Sequence, residues 1–354
     1  MSFFQNCTAL KNVNFGGIQW LGAIEYTGND RNGDGLITGS EIRGVSGDSP
    51  SYAFAGCTAL ETIDLSKITI FGMYAFADCT SLKNVTFGPE LNVLGSYAFA
   101  GCTSLTEIDM SMCTENPLCM NMQSMTNYGL AMGSFIFDGC TALKTYKSFE
   151  LHVYEIPDGW FSGCTSLTEV YLNLDINAFG PASSPFKDLP ADAVVVFNYH
   201  NEYNDRVYET DITGLFGNAS RNGFDWFLES DAKFVDRQGN ELLDCFAVRF
   251  NDGRIMLFFD DYGYMRPYVT VNTDNTVTVY EYYSNTPEYC TTIGLITADR
   301  TIDDSIRSED AMMSMSDMGV TIEDGVVTFM DGTTLSADGV LTFPDGTVIN
   351  VVAE

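Results

Sequence analysis

The stretch FAGCTALETIDL, residues 54–65, decides the fold because close copies of it recur along the first half of the chain. The shared pattern is F-x-x-C-T-S/A-L-x-x-I/V. One such unit is too small to bury its apolar side alone, so tandem copies predict stacked coils around one continuous core. The copies align on six cysteines, which are Cys7, Cys57, Cys79, Cys102, Cys140 and Cys164.

Most neighbouring cysteines of this set are about 22 to 24 residues apart, and two longer spacings indicate insertions at about 16–50 and 111–133. Within each unit, the phenylalanine, the cysteine and the leucine predict a short helical or 3₁₀ turn. A short strand with the pattern L-x-x-I/V-x-L/F is expected to follow. A degenerate unit without cysteine, SPFKDLPADAVVVF from Ser184, is expected to cap the array.

The repeat resembles the BspA-like (Treponema pallidum type) leucine-rich repeats over residues 1–198, and five of the six copies fit the pattern closely. The resemblance implies a leucine-rich-repeat solenoid built from short strands and short helical or 3₁₀ turns. It also implies a place on a bacterial surface or among secreted proteins, and adhesion or protein binding in preference to catalysis.

Composition limits the classes of partner. The 354 residues include 48 acids and 17 bases, which gives a net charge of −31. Nucleic acids and anionic membranes would be repelled, so neither is expected as a partner. No apolar run is long enough to span a bilayer, so no membrane insertion is expected. The chain has only two histidines and no recognised catalytic motif, so an enzyme is not predicted.

The first insertion carries a calcium-binding pattern, DRNGDGLITGSE, at residues 30–41. It matches the twelve-residue loop of EF-hands and dockerins at each specified position. The preceding IQWLGAIEY suggests a strand, and the following IRGVSGDSP could hold at most a short helix, so a structural Ca²⁺ site is expected in preference to a sensor. An Asp/Gly-rich turn without metal is the alternative. The predicted ligands are Asp30, Asn32, Asp34, Leu36 through its carbonyl, Thr38 and Glu41.

The six repeat cysteines are expected to be free thiols that pack as small apolar side chains in the core. The methionine-rich second insertion, with Cys113 and Cys119, has soft ligands that suit Cu(I). Methionine also fills irregular gaps in cores, which is the favoured interpretation. The pairing of Cys113, Cys119, Cys245 and Cys290 is left open by the sequence.

The outward positions of the repeat strands form a candidate ligand-binding face. The set is polar and mildly acidic, and interface hot spots usually contain more aromatic and arginine side chains. A sheet face that is merely solvated is therefore an equal alternative. We name this set the strand face, and its members are Asp64, Thr86, Glu107, Asp109, Lys147, Glu169 and Tyr171.

The second half predicts an all-β region. Alternating apolar runs with turn signals indicate an antiparallel β domain at 199–296, followed by an acidic connector at 297–320. Residues 321–354 contain Asp-Gly every seven residues, which predicts a meander of hairpins with strands of about five residues. Four such strands are marginally stable alone, so they are expected to pack on the preceding domain or, through self-assembly, on another copy of the chain.

Together these features predict a non-enzymatic, extracellular or cell-surface binding and adhesion protein, whose calcium-stabilised repeat surface meets a protein or glycan. The alternative is a structural or host-recognition component of a phage or virus particle, or of a fibre. The chain opens without a recognisable secretory signal, whereas a calcium loop fills readily outside cells. A virion protein would satisfy both observations, and so would a secreted protein expressed without its leader.

Overall fold

The computed structural model shows two compact units. The first comprises Met1–Val207 and Asn222–Phe234, and the second comprises Tyr208–Arg221 and Val235–Glu354. The residues that the structure describes are 4–21, 25–28, 42–46, 51–91, 93–113, 131–148, 159–172, 186–197, 230–244, 247–261, 264–273, 277–280, 290–293, 319–336, 338–344 and 346–350.

The first unit contains the repeats, and its described strands are short. They are β1 (Trp20–Leu21), β2 (Glu25–Gly28), β3 (Ile42–Ser46), β4 (Thr62–Leu65), β5 (Ile70–Phe71), β6 (Asn84–Phe87), β7 (Val93–Leu94), β8 (Glu107–Asp109), β9 (Ala131–Met132), β10 (Thr145–Lys147), β11 (Glu169–Leu172) and β12 (Val194–Phe197).

These strands form parallel ladders, as expected when equivalent segments of successive coils stack. The strands predicted from the repeat pattern pair as β4 with β6, and as β8, β10, β11 and β12 in that order. A second ladder, β1, β5, β7 and β9, comes from two-residue strands that the repeat pattern did not reveal. The coils of Cys57, Cys79 and Cys102 therefore contribute to parallel pairing at two places.

The short helical or 3₁₀ turn expected in each repeat does not form a helix, and the described residues contain none. Two successive turns replace it: Cys57 N donates to Phe54 O, and Leu60 N donates to Cys57 O, each at 3.1 Å. The residue before the cysteine has a positive φ, which interrupts a helix after one turn, and Gly, Asn and Asp tolerate this conformation best. These residues are Asn6, Gly56, Asp78, Gly101, Gly139 and Gly163.

A stack of phenylalanine rings, one per coil, runs through the core of the repeats. Ring centroids are 5.1 Å apart for Phe4 and Phe54, 5.3 Å for Phe54 and Phe76, and 5.4 Å for Phe76 and Phe99. The spacing widens to 6.3 Å between Phe137 and Phe161. Parallel rings of this kind contribute about 0.5–1.5 kcal/mol per pair beyond the area they bury.

The repeat cysteines add a sulfur–carbonyl bond between neighbouring coils. Cys57 Sγ donates to Phe4 O at 3.1 Å, and Cys79 Sγ donates to Phe54 O at 3.2 Å. The same bond recurs at Cys102, Cys140 and Cys164. Cys7 is exposed, whereas the other five repeat thiols are buried and free, as is Cys113.

The degenerate unit after Ser184 continues the stack. The Phe186 ring lies 6.1 Å from Phe161. Phe234, which belongs to the same compact unit, contacts Phe186 edge-on at 5.5 Å and Phe197 at 6.0 Å. Ser230 Oγ donates to Phe186 O at 2.8 Å. Residues beyond the repeat pattern therefore close this end of the stack.

The ladder of β1, β5, β7 and β9 includes residues of both predicted insertions, because Trp20 pairs with Ile70 and Val93 pairs with Ala131. Within the first insertion, β2 and β3 are antiparallel, and Gly28 is paired with Ile42. The segment after the calcium pattern, for which at most a short helix was expected, is thus a strand. The calcium ligands at 30–41 lie outside the described residues.

The second unit is antiparallel throughout its described strands. Strands β13 to β19 are neighbours in chain order, and β20 to β24 form a separate five-stranded sheet. The first two residues of β13 belong to the first unit. The strands are β13 (Lys233–Asp236), β14 (Glu241–Asp244), β15 (Ala247–Arg249), β16 (Ile255–Asp261), β17 (Tyr264–Val271), β18 (Val277–Tyr280), β19 (Cys290–Ile293), β20 (Thr321–Glu323), β21 (Val326–Thr328), β22 (Thr334–Ser336), β23 (Val340–Thr342) and β24 (Val348–Asn350).

The Asp-Gly pairs of the tail occur in two kinds of turn. Asp324 and Gly325 both have positive φ and connect the paired residues Glu323 and Val326. At Phe329–Thr333 only the glycine, Gly332, has positive φ; Phe329 N donates to Thr333 O, and Gly332 N donates to Phe329 O. These wider turns leave strands of three residues, shorter than the five or so expected. Asp345 lies outside the described residues.

The buried thiols predict a contrast in reactivity. Burial raises the pKa of Cys79, Cys113 and Cys140 to about 12, which lowers their thiolate population at pH 8 roughly a thousandfold. We expect iodoacetamide to alkylate Cys7 in the native protein and to spare the six buried thiols, as measured by peptide mass spectrometry. The same reagent in urea should alkylate all seven equally. Alkylation of Cys102 as fast as Cys7 in the native protein would contradict the buried stack.

Candidate functional site

The structure divides the strand face between two sheets. Asp64 and Thr86 lie opposite each other on β4 and β6. The other five members lie on β8, β10 and β11, where Asp109 pairs with Lys147 and Lys147 pairs with Tyr171. These five are neighbours on one face, so the structure brings most of the predicted ligand-binding residues together.

Lys147 is the centre of an ion-pair cluster on this face. Its Nζ lies 3.1 Å from Glu107 Oε1 and 3.1 Å from Asp109 Oδ2. Hydrogen bonds from Lys147 to Glu107 and Asp109 raise the pKa of the Lys147 ammonium. For Asp109, burial opposes ionisation, but hydrogen bonds from Ser111 and Lys147 outweigh it and lower the carboxyl pKa. Two of the four carboxylates of the face are thus paired with its single lysine, and the face keeps a net charge of −3.

Two aspartates of the face also hold turns. Asp64 Oδ1 accepts from Ser66 N at 2.9 Å, and Asp109 Oδ1 accepts from Ser111 N at 3.0 Å. Tyr171 is the one large aromatic side chain of the face, and it is 38% exposed. This geometry supports a solvated, internally paired sheet face better than a binding hot spot.

A second surface feature is a row of stacked aromatic rings, one per coil, which we name the aromatic ladder. Its members are half-buried, so their outer edges reach solvent. Ring centroids are 5.0 Å, 4.9 Å and 5.2 Å apart in order, and the ring planes differ by 12° or less. The ladder consists of Tyr52, Tyr74, Tyr97 and Phe135.

Each ladder residue has a left-handed backbone, with φ of 43°, 58°, 58° and 56° in chain order. A non-glycine residue in this region costs roughly 1–2 kcal/mol, and a bulky aromatic residue is uncommon there. The equivalent position in the next coil is Gly159, with φ of 61°. A Cβ at Gly159 would overlap the Phe135 ring, so the ladder ends against this glycine.

Sequence reasoning from the cysteine pattern missed the ladder. The available signal was an aromatic residue two positions before each core phenylalanine. It is visible in SYAF at 51–54, MYAF at 73–76, SYAF at 96–99 and SFIF at 134–137. Burial, with the neighbouring phenols of Tyr97 and Tyr52, raises the pKa of Tyr74. Its hydroxyl therefore stays protonated, and available as a donor, throughout the physiological range.

The described residues give no metal centre. Within those ranges, no three His, Cys, Asp or Glu side chains come together in an arrangement that holds a metal ion. The predicted calcium ligands, and the methionine-rich insertion with Cys119, fall outside them. Among the described residues, no helix has the length and apolar character that crossing a bilayer requires.

Parallel stacking of equivalent short coils around a phenylalanine core defines a leucine-rich-repeat fold. The family described as BspA type Leucine rich repeat region (6 copies) matches residues 119–188. The repeats within residues 119–188 match BspA-type leucine-rich repeats, as the resemblance in the sequence predicted.

Three solved structures are similar to this chain. A leucine rich cell surface protein from Faecalibacterium prausnitzii A2-165 is 26% identical, with a TM-score of 0.26, over 33% of this chain and 27% of that one. The leucine rich repeat protein of T. pallidum is 21% identical, with a TM-score of 0.25, over 39% and 69%. A leucine-rich repeat protein from Bacteroides ovatus ATCC 8483 is 19% identical, with a TM-score of 0.19, over 54% and 62%.

The chain thus spans about a quarter of the Faecalibacterium protein and under two thirds of the Bacteroides protein. At these TM-scores, the likenesses support no statement about what this chain binds. Among curated proteins, none gives a significant match.

Substitution of Lys147 tests the ion-pair cluster. Because Asp109 has a lowered pKa, its contribution to stability is present above its unfolded-state pKa and is lost as pH falls through the folded-state pKa. We expect Lys147→Met to raise the Asp109 pKa, measured by carboxyl NMR titration. The stability loss at pH 7 should be below about 1 kcal/mol, because both side chains are partly exposed.

Lys144→Met, an exposed lysine of the same coil, is the matched control and should leave the Asp109 titration unchanged. An unaltered Asp109 titration in Lys147→Met would show that the cluster does not form in solution.

Proposed function

We propose that this chain is a non-enzymatic binding protein that acts outside the cell or at the cell surface and presents its repeats to a protein or glycan. The stacked repeats carry this proposal. Each coil places equivalent side chains at the same surface position, and the phenylalanine stack fixes the distance between coils. Such rigid, periodic surfaces are what solenoid proteins use for binding. The match to BspA-type repeats is the reason for proposing a surface location.

No catalytic role is proposed, because most charged side chains of the strand face are engaged in ion pairs or in turns. Lys147 forms ion pairs with Glu107 and Asp109, and Asp64 holds a turn. The aromatic ladder contributes phenols and a phenyl ring, which are binding groups more than general acids or bases at neutral pH. No observation on the described residues favours the particle-component alternative, and self-assembly through the C-terminal β region stays a prediction.

A binding test follows directly. Purified full-length chain, applied to an array of immobilised extracellular-matrix proteins and neutral glycans in calcium-containing buffer, is expected to bind at least one ligand reversibly. Mass spectrometry of the recovered ligand should show no change in its covalent structure. Turnover of the ligand, or the absence of binding to every member of the array, would overturn the proposed function.

We further propose that residues 30–41 bind one structural Ca²⁺ ion. The antiparallel pairing of β2 with β3, and of Gly28 with Ile42, supports this, because it joins the two ends of the connecting segment. A twelve-residue calcium loop needs such closure, since its first and last ligands contact the same ion. Oxygen ligands from Asp30, Asn32 and Glu41 suit a hard cation, and strands take the place of the helices that flank the loop in calcium sensors.

Calorimetry tests the calcium site. We expect one Ca²⁺ per chain, and a melting temperature that rises with calcium, because a ligand that binds only the folded state stabilises it by mass action. The double substitution Asp30→Ala, Glu41→Ala should abolish both effects, since it removes a monodentate and a bidentate carboxylate.

The matched control is Asp48→Ala, which removes an acid of the same insertion that lies outside the pattern. It should bind calcium as the unmodified chain does. Equal calcium binding by the double variant would overturn the loop assignment, whereas binding without a shift in melting temperature would overturn its stabilising role.

A further inference from the structure

The aromatic ladder is a built feature that core packing does not explain. Four successive coils place an aromatic side chain on a left-handed backbone, at roughly 1–2 kcal/mol each. Three ring pairs contribute about 0.5–1.5 kcal/mol each beyond the area that the rings bury, so stacking alone does not offset the strain, and the burial of the rings adds to the stabilisation. At the other left-handed position of each coil, the chain uses Gly, Asn or Asp. Aromatic rings at this position therefore form a continuous row that is only partly used in packing, because each ring stays half-exposed.

We propose that the ladder is a binding site for a linear, neutral polysaccharide, which lies along the ring edges with about one sugar unit per ring. This inference rests on the proposed function and assigns its ligand class and its site.

The groups that the ladder offers to solvent match the chemistry of a sugar. The ring faces between neighbours in the ladder are covered, because neighbouring planes are nearly parallel and about 5 Å apart. Phe135 is covered on its far side by Gly159. What reaches solvent is a row of apolar ring edges, with phenol hydroxyls at Tyr52, Tyr74 and Tyr97. A phenol both donates and accepts hydrogen bonds, and its ring is apolar. Sugars present the same alternation of C–H and O–H groups.

The spacing between the rings distinguishes between the linear polymers that could bind along the aromatic ladder. The ladder repeats at 4.9–5.2 Å. In an extended polypeptide, side chains on one face repeat about every 6.6–6.8 Å, twice the rise per residue, so they fall out of step within three rings. A polyproline II segment repeats every three residues, about 9.3 Å. An extended chain of pyranose rings advances by about one ladder spacing per sugar unit, so each unit meets an equivalent ring.

The net negative charge of the chain argues against anionic polymers as ligands. The net charge of −31 repels nucleic acids and acidic polysaccharides, and the closed ring faces give bases no surface on which to stack. The ladder itself contains no charged side chain. Neutral polysaccharides remain, and a single file of rings suits a single chain better than the broad patch of a protein interface.

Isothermal titration calorimetry of the full chain with neutral oligosaccharides tests the proposal. The probes are hexasaccharides of β-1,4-linked glucose, N-acetylglucosamine, mannose and xylose, and the shorter members of any series that binds. We expect at least one hexasaccharide to bind with a Kd below about 1 mM. Affinity should rise about tenfold from disaccharide to tetrasaccharide and then level off, because the ladder has four rings.

Two sets of variants locate the site. Tyr74→Gly with Tyr97→Gly removes two rings and suits the left-handed backbone, as Gly159 does in the next coil, so the fold should be kept. We expect this variant to bind about a hundredfold more weakly. The triple substitution Tyr52→Phe, Tyr74→Phe, Tyr97→Phe keeps the stack and removes only the hydroxyls, and we expect about a tenfold loss. If the glycine variant fails to fold by circular dichroism, the phenylalanine variant decides.

Tyr171→Ala is the matched control, because it removes an exposed tyrosine of the strand face and should leave saccharide affinity unchanged. Loss of binding in Tyr171→Ala with full binding by the ladder variants would overturn the ladder as the site, yet leave the proposed binding function intact. Binding of a protein ligand on the array, with no hexasaccharide bound, would likewise overturn only the ladder. Failure of every ligand class would overturn both.

Discussion

The contact between one coil and the next is the constraint on which the repeat unit depends. A coil of this size has no interior of its own, so its phenylalanine is buried only when a neighbour covers it. Phe76 and Phe99 are fully buried between rings on both sides, whereas Phe4, with a described ring on one side only, is 44% exposed. Backbone N–H groups and cysteine thiols bond across the same junction. The distance between coils at this junction therefore sets the spacing of side chains on the strand face and in the aromatic ladder.

Much of this fold could be predicted from the sequence, because the positions that face the junction tolerate few residue types. Phenylalanine, cysteine and leucine repeat visibly, so the coils and the strands that follow them were evident. The turns were less evident, since helix and turn share the same apolar spacing over four residues and differ by the sign of one φ. The two-residue strands of the sheet β1, β5, β7 and β9, such as Ile70–Phe71, are too short to show any periodicity in the sequence.

The candidate site was harder to predict, because a list of outward positions does not show which groups satisfy one another. Lys147 looked available beside several acids, yet it bridges two of them. The tyrosines of the aromatic ladder are evident in the sequence. Their stacking depends on a left-handed backbone conformation, which neither hydrophobic alternation nor charge patterning encodes. In the second unit, Asp-Gly predicted turns, whereas the difference between Asp324 and Asp331 depends on register between strands.

The sulfur–carbonyl bonds have a consequence for where the protein can fold. In each of five coils, the thiol hydrogen of the repeat cysteine is the donor, so the native state requires the reduced form of the side chain. These thiols are buried, and they make no cross-links among the described residues. The repeat unit therefore needs no oxidant to fold, and its sulfur–carbonyl bonds form only if these thiols stay reduced until they are buried. Disulfide formation, on which many small secreted domains depend, is thus no part of the assembly of this core.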